Sequence, residues 1–273
     1  MNLPQEFASV NSKYYILPIE YEGNLTGKKG ASKGSSEIIK SSYQLEYYDE
    51  QFNQEPYKKG IYLLPSLTGI TPEEITKKIS DEVSRHKKFL ISLGGDHSVS
   101  IGIVKGLEKI HDSFSVIVFD AHPDLFYSWN NSTLNHRCTS FHISSKHPTS
   151  LIGIRSMDKD ELDVVKNNNI NIIYSHENIK QKLLEILPSL KNKVYISIDV
   201  DSFDPSFIKN TGTPEPGGFF WKEFIELLEV IFKNKEVIGA DIVEFSPSNN
   251  FEAESYSLSK LIYKIMALKE NFN

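Results

Sequence analysis

The sequence predicts an α/β fold in which helices cover both faces of a parallel sheet. Seven apolar runs have the length and composition of buried strands, at residues 14–18, 89–93, 114–119, 150–154, 170–174, 194–200 and 237–243. Helical patterns lie between most of them, over residues 72–86, about 98–110, 159–166, 179–190, a stretch around 221–231, and 255–269. Strands that are apolar on both faces and alternate with helices are typical of a parallel sheet.

The first of these helices has clear start signals. Thr71 is suited to cap the helix and Pro72 to occupy its first position, and Ile75, Ile79 and Val83 then recur at helical spacing. By contrast, the Gly-, Ser- and Lys-rich segment that extends to Ser36 is predicted to be a loop. Such a loop either lies on the surface or folds over a cavity.

Length and charge limit the class of protein. A chain of 273 residues with 39% hydrophobic side chains is expected to form a single domain over residues 1–273. The net charge of −6 and the scattered positions of its 30 Lys and Arg residues argue against a nucleic-acid partner.

Cysteine usage and hydropathy indicate the compartment. Cys138 is the only cysteine, so the chain has neither an internal disulfide framework nor a thiolate zinc site. No secretory signal pattern opens the sequence, and no apolar run approaches the ~18–20 residues that cross a bilayer. A cytoplasmic protein with no membrane partner is expected.

Acidic and imidazole side chains follow four of the predicted strands. They are Asp96 and His97 after the 89–93 strand, Asp120, His122 and Asp124 after the 114–119 strand, Asp199, Asp201 and Asp204 at the end of the 194–200 strand, and Glu244 after the last strand. Ligands of parallel sheets bind outside the carboxyl ends of the strands. The fold therefore predicts that these side chains converge.

The spacing of these side chains favours a metal site. In Asp120-x-His122-x-Asp124 and Asp199-x-Asp201, alternate residues of an extended backbone point the same way. A lone His or Asp at a strand end is more often a cap or a turn former. Several carboxylates that meet without a cation would repel one another, so a bound metal is the better interpretation.

The ligand set also indicates the metal and the chemistry. Two imidazoles and four carboxylates are more ligands than one ion needs, and an oxygen-rich set without sulfur suits manganese better than structural zinc. A pair of bridged ions activates water and polarises a substrate. Hydrolysis is the expected reaction.

Three stretches resemble the signature motifs of the arginase/agmatinase (ureohydrolase) family. They are residues 94–98 (Gly-Gly-Asp-His-Ser), 120–124 (Asp-Ala-His-Pro-Asp) and 197–205 (Ser-Ile-Asp-Val-Asp-Ser-Phe-Asp-Pro). The motifs occur in the family's order and spacing, and the resemblance extends over most of the chain from about Tyr14.

The resemblance implies two Mn²⁺ ions per subunit. One ion would be bound by His97, Asp120, Asp124 and Asp199, and the other by His122, Asp120, Asp199 and Asp201. Asp120 and Asp199 would bridge the pair. It also implies a three-layer α/β/α fold with a central parallel sheet of about eight strands, and a homo-trimer or homo-hexamer.

The family's reaction is the hydrolysis of a small guanidinium substrate to urea and an amine. His136 resembles the loop histidine that carries a proton to the departing amine, and Glu244 resembles the glutamate that holds the guanidinium group. Thr213 corresponds to the threonine beside the site in the Thr-Gly-Thr-Pro turn. The other readings are a solvated loop histidine for His136 and a surface or capping acid for Glu244.

Two departures from the family pattern concern loops. Lys209-Asn210 replaces the usual Pro-Gly before the Thr-Gly-Thr-Pro turn, which predicts an altered loop or subunit contact. Residues 125–135, where substrate tails are chosen, are less family-like. Asn130 and the polar residues after it could donate hydrogen bonds to an α-carboxylate, as in arginases, or simply form a polar surface loop.

The expected substrate is agmatine, with putrescine as the amine product. The Asp-Ala-His-Pro-Asp-Leu and Thr-Gly-Thr-Pro-Glu-Pro-Gly-Gly stretches look more like agmatinases than arginases. Arginase and other guanidinoalkyl or formimidoyl amidinohydrolases are the alternatives. A catalytically silent, metal-binding assembly subunit is a further alternative from another class, although such a protein has no reason to keep every ligand together with His136 and Glu244.

Overall fold

A computed structural model describes residues 4–23, 26–168, 170–248 and 253–272. The strands are β1 (Tyr14–Glu20), β2 (Ile61–Leu63), β3 (Leu67–Thr68), β4 (Phe89–Leu93), β5 (Ser115–Phe119), β6 (Thr149–Ile154), β7 (Asn171–Tyr174), β8 (Lys193–Asp199) and β9 (Glu236–Val243). The helices are α1 (Gly34–Ser41), α2 (Pro72–Ser84), α3 (Val99–Leu107), α4 (Thr139–Ser144), α5 (Glu161–Asn168), α6 (Ile179–Ile186), α7 (Trp221–Asn234) and α8 (Ala253–Phe272).

All the strand pairs of the sheet are parallel. Eight strands follow the order β2-β1-β4-β9-β8-β5-β6-β7, and β3 pairs with the end of β1. The strands β8 and β9, which come late in the chain, lie between β4 and β5. This insertion places the carboxyl ends of β4, β9, β8 and β5 next to one another.

Helices cover both faces of the sheet, as the alternation within its strands shows. In β5, Ile117 and Phe119 pack into a core with α1, α6, α7 and α8. The intervening Val116 and Val118 face the opposite core, where α2, α3, α4 and α5 pack. Since successive side chains of a strand point to opposite faces, the apolar run of β5 serves two cores. The predicted α/β/α arrangement with a parallel sheet of about eight strands is confirmed.

The predicted loop through Ser36 is wrong over its last residues. A 3₁₀ turn occupies Ala31–Lys33 and α1 begins at Gly34. Glycine and serine are weak helix formers, but the helix packs tightly on the rest of the fold: a Cβ at Gly34 would lie 2.4 Å from the carbonyl oxygen of Phe245. Tertiary packing here overrides local propensity. The short strands β2 and β3 were also not predicted.

No helix within the described ranges combines the length and apolar character needed to cross a membrane.

Gly95 allows the turn after β4 to pack against two neighbouring strands. A Cβ at this position would lie 1.5 Å from the carbonyl oxygen of Tyr21, which follows β1. The Gly95 carbonyl oxygen accepts a hydrogen bond of 2.8 Å from the backbone N–H of Glu244, which follows β9. A side chain at Gly95 would therefore push apart three chain segments that carry the site.

We expect Gly95→Ala to destabilise the protein by about 2–3 kcal/mol, because the added methyl group overpacks a rigid backbone contact. Gly217→Ala is the matched control: Gly217 has φ of 83° and nothing lies within 4 Å of a Cβ placed there. This control carries only the cost of the left-handed backbone, about 1 kcal/mol. Chemical denaturation measures both, and equal losses would contradict the role given to Gly95.

Candidate metal centre and active site

The candidate site lies at the carboxyl ends of the four adjacent strands β4, β9, β8 and β5. The chain places the predicted residues there in that order: His97 after β4, Glu244 after β9, Asp199 and Asp201 at the end of β8, and Asp120, His122 and Asp124 after β5. Six of these seven side chains belong to residues that are at most 7% exposed, and His122 is partly exposed. The predicted convergence is therefore observed.

His97 is the centre of the first ligand group. Its Nδ1 atom lies 3.1 Å from Asp120 Oδ2, 3.2 Å from Asp124 Oδ2 and 3.2 Å from Asp199 Oδ2. Ligand atoms about 2.1–2.2 Å from a shared centre and at right angles to one another lie about 3 Å apart. The ligand atoms of His97, Asp120 and Asp124 also lie within 4.8 Å of one another, so these three side chains are spaced as ligands around one cation would be, and Asp199 lies next to His97.

His122 is the centre of the second group. Its Nδ1 atom lies 2.9 Å from Asp201 Oδ2 and 3.8 Å from Asp120 Oδ1. The two oxygens of Asp120 therefore approach different imidazoles, one in each group. Geometry of this kind is what a carboxylate that bridges two ions requires.

Hydrogen bonds behind His97 orient its ring. Ser197 Oγ donates to Asp241 Oδ1 at 2.7 Å and lies 3.1 Å from His97 Nε2. Because the hydroxyl gives its single hydrogen to Asp241, it accepts the Nε2 hydrogen, and the lone pair of the neutral ring lies on Nδ1. That lone pair faces three carboxylate oxygens. Among the described residues, neither His97 Nδ1 nor Asp120 Oδ2 has a hydrogen-bond partner. A cation between them satisfies both, so the residues fit a metal.

The electrostatics of the site lead to the same conclusion. Burial and the nearby Asp201 carboxylate raise the pKa of Asp199 to about 7. Burial, followed by Asp201 and Asp199, raises the pKa of Asp120 well above its usual range. Burial, with Asp199 next, likewise raises the pKa of Glu244. A raised pKa means that the ionised form of a carboxylate is not stabilised enough by its surroundings. Bound cations would stabilise that ionised form.

Two site residues have backbones in the left-handed region. Asp124 has φ of 52° and Glu244 has φ of 65°. Neither residue is a glycine, so each conformation carries a cost of about 1–3 kcal/mol that the surrounding packing maintains. In Glu244 this turn directs one carboxylate oxygen, Oε1, to the backbone N–H of His97 at 2.8 Å. The sequence motifs gave no sign of this geometry.

His136 lies at the side of the site, at the start of a 3₁₀ turn that leads into α4. Its Nε2 atom lies 2.6 Å from the Thr26 hydroxyl oxygen, and its Nδ1 atom is buried without a hydrogen-bond partner among the described residues. Burial lowers the pKa of His136. Motif comparison had indicated His136 but not Thr26.

A cavity of about 270 Å³ opens over the candidate metal ligands. The predicted residues Glu244, His136 and Thr213 all line it. Asn130 is an exposed residue in the turn between Trp129 and Ser132. It is not among the described residues that line this cavity.

Charged side chains that the motifs did not indicate also surround this cavity. Asp158, Glu161 and Arg137 line it, and Arg137 Nη2 donates to Asp158 Oδ2 at 2.9 Å. The Arg137 guanidinium also lies 4.0 Å from the Trp129 ring centroid. Glu215 Oε1 lies 3.8 Å from His122 Nε2, at the edge of the second ligand group. Asp158 and Glu161 lie outside the motifs, whereas Arg137 directly follows His136 and Glu215 belongs to the Thr-Gly-Thr-Pro-Glu-Pro turn. Only the fold shows that these charges meet around the site.

Comparison with known proteins places this geometry in a family. The model of the "Arginase family" matches residues 12–267. The chain belongs to the arginase family. It is 34% identical to the N(1)-aminopropylagmatine ureohydrolase of Thermus thermophilus over 94% of this chain and 90% of that protein. It is 32% identical to the agmatinase of Pyrococcus horikoshii, over 94% and 92% of the two chains.

A solved structure agrees with the arginase-family fold. The agmatine ureohydrolase of Thermoplasma volcanium superposes with a TM-score of 0.88 at 26% identity, covering 96% of this chain and 91% of that one. The protein is accordingly an arginase-family ureohydrolase, a hydrolase that acts on amidino C–N bonds. The family is metal-dependent, in keeping with the two ligand groups at the sheet edge.

We expect Asp199→Asn to abolish high-affinity manganese binding, because it removes the charge of the carboxylate that the sequence predicts to bridge the two ions. Asp204→Asn is the matched control from the same motif; Asp204 accepts hydrogen bonds from the backbone N–H groups of Ser206 and Gly217 and is a turn residue. Metal content after dialysis, measured by plasma mass spectrometry, tests both variants. Equal manganese occupancy in Asp199→Asn and the parent protein would refute the bridging assignment.

Proposed function

We propose that this protein is a dinuclear manganese hydrolase that cleaves agmatine to urea and putrescine, and so takes part in polyamine formation. The observation that supports this most is the pair of His–carboxylate groups that share Asp120 beneath a cavity lined by Glu244 and His136. A silent binding subunit would not require His136 and Glu244 beside the ligands.

Six side chains are proposed to hold the two ions. They are the ones that the sequence indicated: His97, Asp120, His122, Asp124, Asp199 and Asp201. When bound, the ions activate water and polarise the guanidinium group. We further propose that the chain acts as a single domain in the cytoplasm, as a homo-trimer or homo-hexamer.

Glu244 is proposed to hold the planar guanidinium cation. Its carboxylate is buried and its Oε1 atom is already bonded to the His97 backbone, so the remaining oxygen is fixed in direction. A charge-assisted hydrogen bond from the substrate offsets the negative charge that burial otherwise penalises. Thr213 lines the same wall and limits the orientations that the guanidinium can adopt.

His136 is proposed to protonate the departing amine. Attack by water on the guanidinium carbon is followed by cleavage of the bond from this carbon to the alkyl-substituted nitrogen. The electron pair of that bond stays on the nitrogen, which takes a proton from the His136 ring; the ring has first accepted that proton from the attacking water. The buried ring with its lowered pKa gives up a proton readily, which suits this role.

The charges around the cavity favour an amine tail over a carboxylate tail. Asp158 and Glu161 line the cavity, and Glu215 lies beside His122 at its edge. Arg137 is paired with Asp158 and stacked on an aromatic ring, so these two charges offset each other and the Glu161 and Glu215 carboxylates are in excess. The terminal ammonium of agmatine is attracted by this surface, whereas the α-carboxylate of arginine would be repelled. The proposed contact between Asn130 and a substrate is relevant only to the arginase alternative.

N(1)-aminopropylagmatine is the second candidate substrate. Three relatives that are 34%, 34% and 30% identical to this chain are N(1)-aminopropylagmatine ureohydrolases by name. This compound carries a second positive charge in its tail, and the cavity has more than one acid with which to receive it.

Urea release by the manganese-loaded protein tests the proposal directly. We expect turnover of agmatine, of N(1)-aminopropylagmatine or of both, with kcat/KM at least about 100-fold above that for arginine or 4-guanidinobutyrate, since a wrongly charged tail costs several kcal/mol. Asp158→Asn is expected to raise KM for the amine-tailed substrates and to leave kcat nearly unchanged.

The other outcomes separate the alternatives. Urea from arginine alone would replace the proposed substrate with that of an arginase. No urea from any guanidino compound, by protein that binds manganese, would support the silent subunit.

A further inference from the structure

Thr26 contacts His136, the proposed proton donor, although the two residues are 110 positions apart in the sequence. Its hydroxyl oxygen lies 2.6 Å from His136 Nε2, and it lines the same cavity. We propose that Thr26 is a positioning residue for His136, and that a segment comprising residues 26–30 holds it there across the site. This inference rests on the proposed function, in which His136 protonates the leaving amine.

Backbone contacts fix the segment against the turn that carries Thr213. The Lys28 N–H donates to the carbonyl oxygen of Gly212 at 3.0 Å. At Gly27, φ is 80° and a Cβ would lie 2.2 Å from the same carbonyl oxygen. Only glycine fits so close to another backbone in this conformation. The segment therefore has a defined course beside the cavity.

A lysine side chain provides a second anchor. Lys28 Nζ donates to Asn210 Oδ1 at 2.7 Å and to the Ser246 carbonyl oxygen at 2.6 Å. Asn210 is itself 6% exposed, and its side-chain amide donates to Glu254. Asn210 is one of the two residues that depart from the usual family pattern. The departure thus joins the 26–30 segment to the loop before the Thr213 turn.

The Thr26 contact decides which nitrogen of His136 exchanges a proton. The contact between Thr26 and Nε2 is compatible with either tautomer, but the one with a hydrogen on Nδ1 would bury that N–H without an acceptor among the described residues. The inferred tautomer therefore has Nε2–H donating to the Thr26 hydroxyl oxygen and a lone pair on Nδ1. Nδ1 is the atom that has no other hydrogen-bond partner among the described residues. A protonated ring then gives up its Nδ1 hydrogen to the amine nitrogen while Nε2 keeps its own. Without the hydroxyl, both the ring orientation and the tautomer lose their restraint.

Thr26→Val tests the role of the hydroxyl with little change of shape. We expect kcat for agmatine to fall about 10- to 100-fold, the effect typical of losing a residue that orients a functional side chain. KM and manganese content are expected to stay within about twofold of the parent values. Thr26→Ser keeps the hydroxyl and is expected to restore most of kcat. Thr68→Val, at an exposed threonine of β3, is the matched control and should behave like the parent.

The dependence on the leaving amine separates proton delivery from a general loss of structure. Substrates whose amine product is less basic need less help from an acid. The defect of Thr26→Val should therefore shrink with such substrates, and the acidic limb of the profile of kcat against pH should shift. A defect of the same size for every leaving group, or a Thr26→Ser variant as poor as Thr26→Val, would overturn the inference.

Lys28→Met tests the anchor. If the segment acts by holding Thr26, Lys28→Met should lower kcat in the same direction, and the double variant with Thr26→Val should be no worse than Thr26→Val alone. Additive losses would show that Lys28 acts independently of Thr26 and would contradict the holding role.

A spectroscopic measurement keeps this inference distinct from the proposed function. In histidine-selective ¹⁵N NMR spectra of the full chain without paramagnetic metal, His136 is expected to be the Nε2–H tautomer, and Thr26→Val is expected to give a mixture. His136→Asn assigns the signal. Unchanged spectra in Thr26→Val would overturn the inference even if the parent releases urea. If the parent releases no urea from any guanidino compound, the proposed function fails, and the tautomer still tests the contact.

Discussion

Mutual repulsion among buried carboxylates is the constraint on which the rest of this structure depends. Within the proposed groups, the ligand atoms of His97, Asp120 and Asp124 lie within 4.8 Å of one another, and so do those of Asp120, His122 and Asp201. Two unit charges at that separation repel by roughly 3–4 kcal/mol at an effective dielectric constant of 20. Asp120 belongs to both groups, so it meets repulsion from each side. Cations offset this cost, and the same cations give the site its hydrolytic chemistry.

Several structural features outside the proposed ligands hold the carboxylates and imidazoles of the site together. The parallel sheet brings four strand ends side by side, Gly95 lets their connecting turns pack closely, and the buried Asp241 orients His97 through Ser197. The left-handed backbones of Asp124 and Glu244 store strain at the site itself. Burial of both sheet faces under helices supplies the stability that maintains this strain.

Much of the architecture could be predicted from the sequence because its signals are local. The apolar run of β5 and the start of α2 at Pro72 can each be recognised from a few consecutive residues. The strand β4 has the predicted bounds, Phe89–Leu93. The six proposed ligands follow strands in tight motifs, and parallel topology alone implies that they meet. The helix α1 could not be predicted in this way, because Gly34 and its neighbours fold as a helix through packing against a distant segment.

The features that escaped prediction depend on distant parts of the chain. Thr26 meets His136 across 110 positions of sequence. Asp158 reaches the cavity from the irregular segment that follows β6, and no spacing rule connects it with the metal motifs. Lys209-Asn210 was expected to alter a loop or a subunit contact, and the contact between Asn210 and Lys28 could be identified only from the fold. In the proposed function, long-range contacts of this kind determine the substrate and the proton path, whereas the motifs determine the reaction class.

The most direct test of the central claim is anomalous X-ray diffraction at the manganese absorption edge from crystals grown with Mn²⁺. Two peaks are expected, one among His97, Asp120, Asp124 and Asp199 and one among Asp120, His122, Asp199 and Asp201. A map without a peak between these side chains, in crystals whose acids keep the positions described above, would contradict the claim that cations hold the centre together.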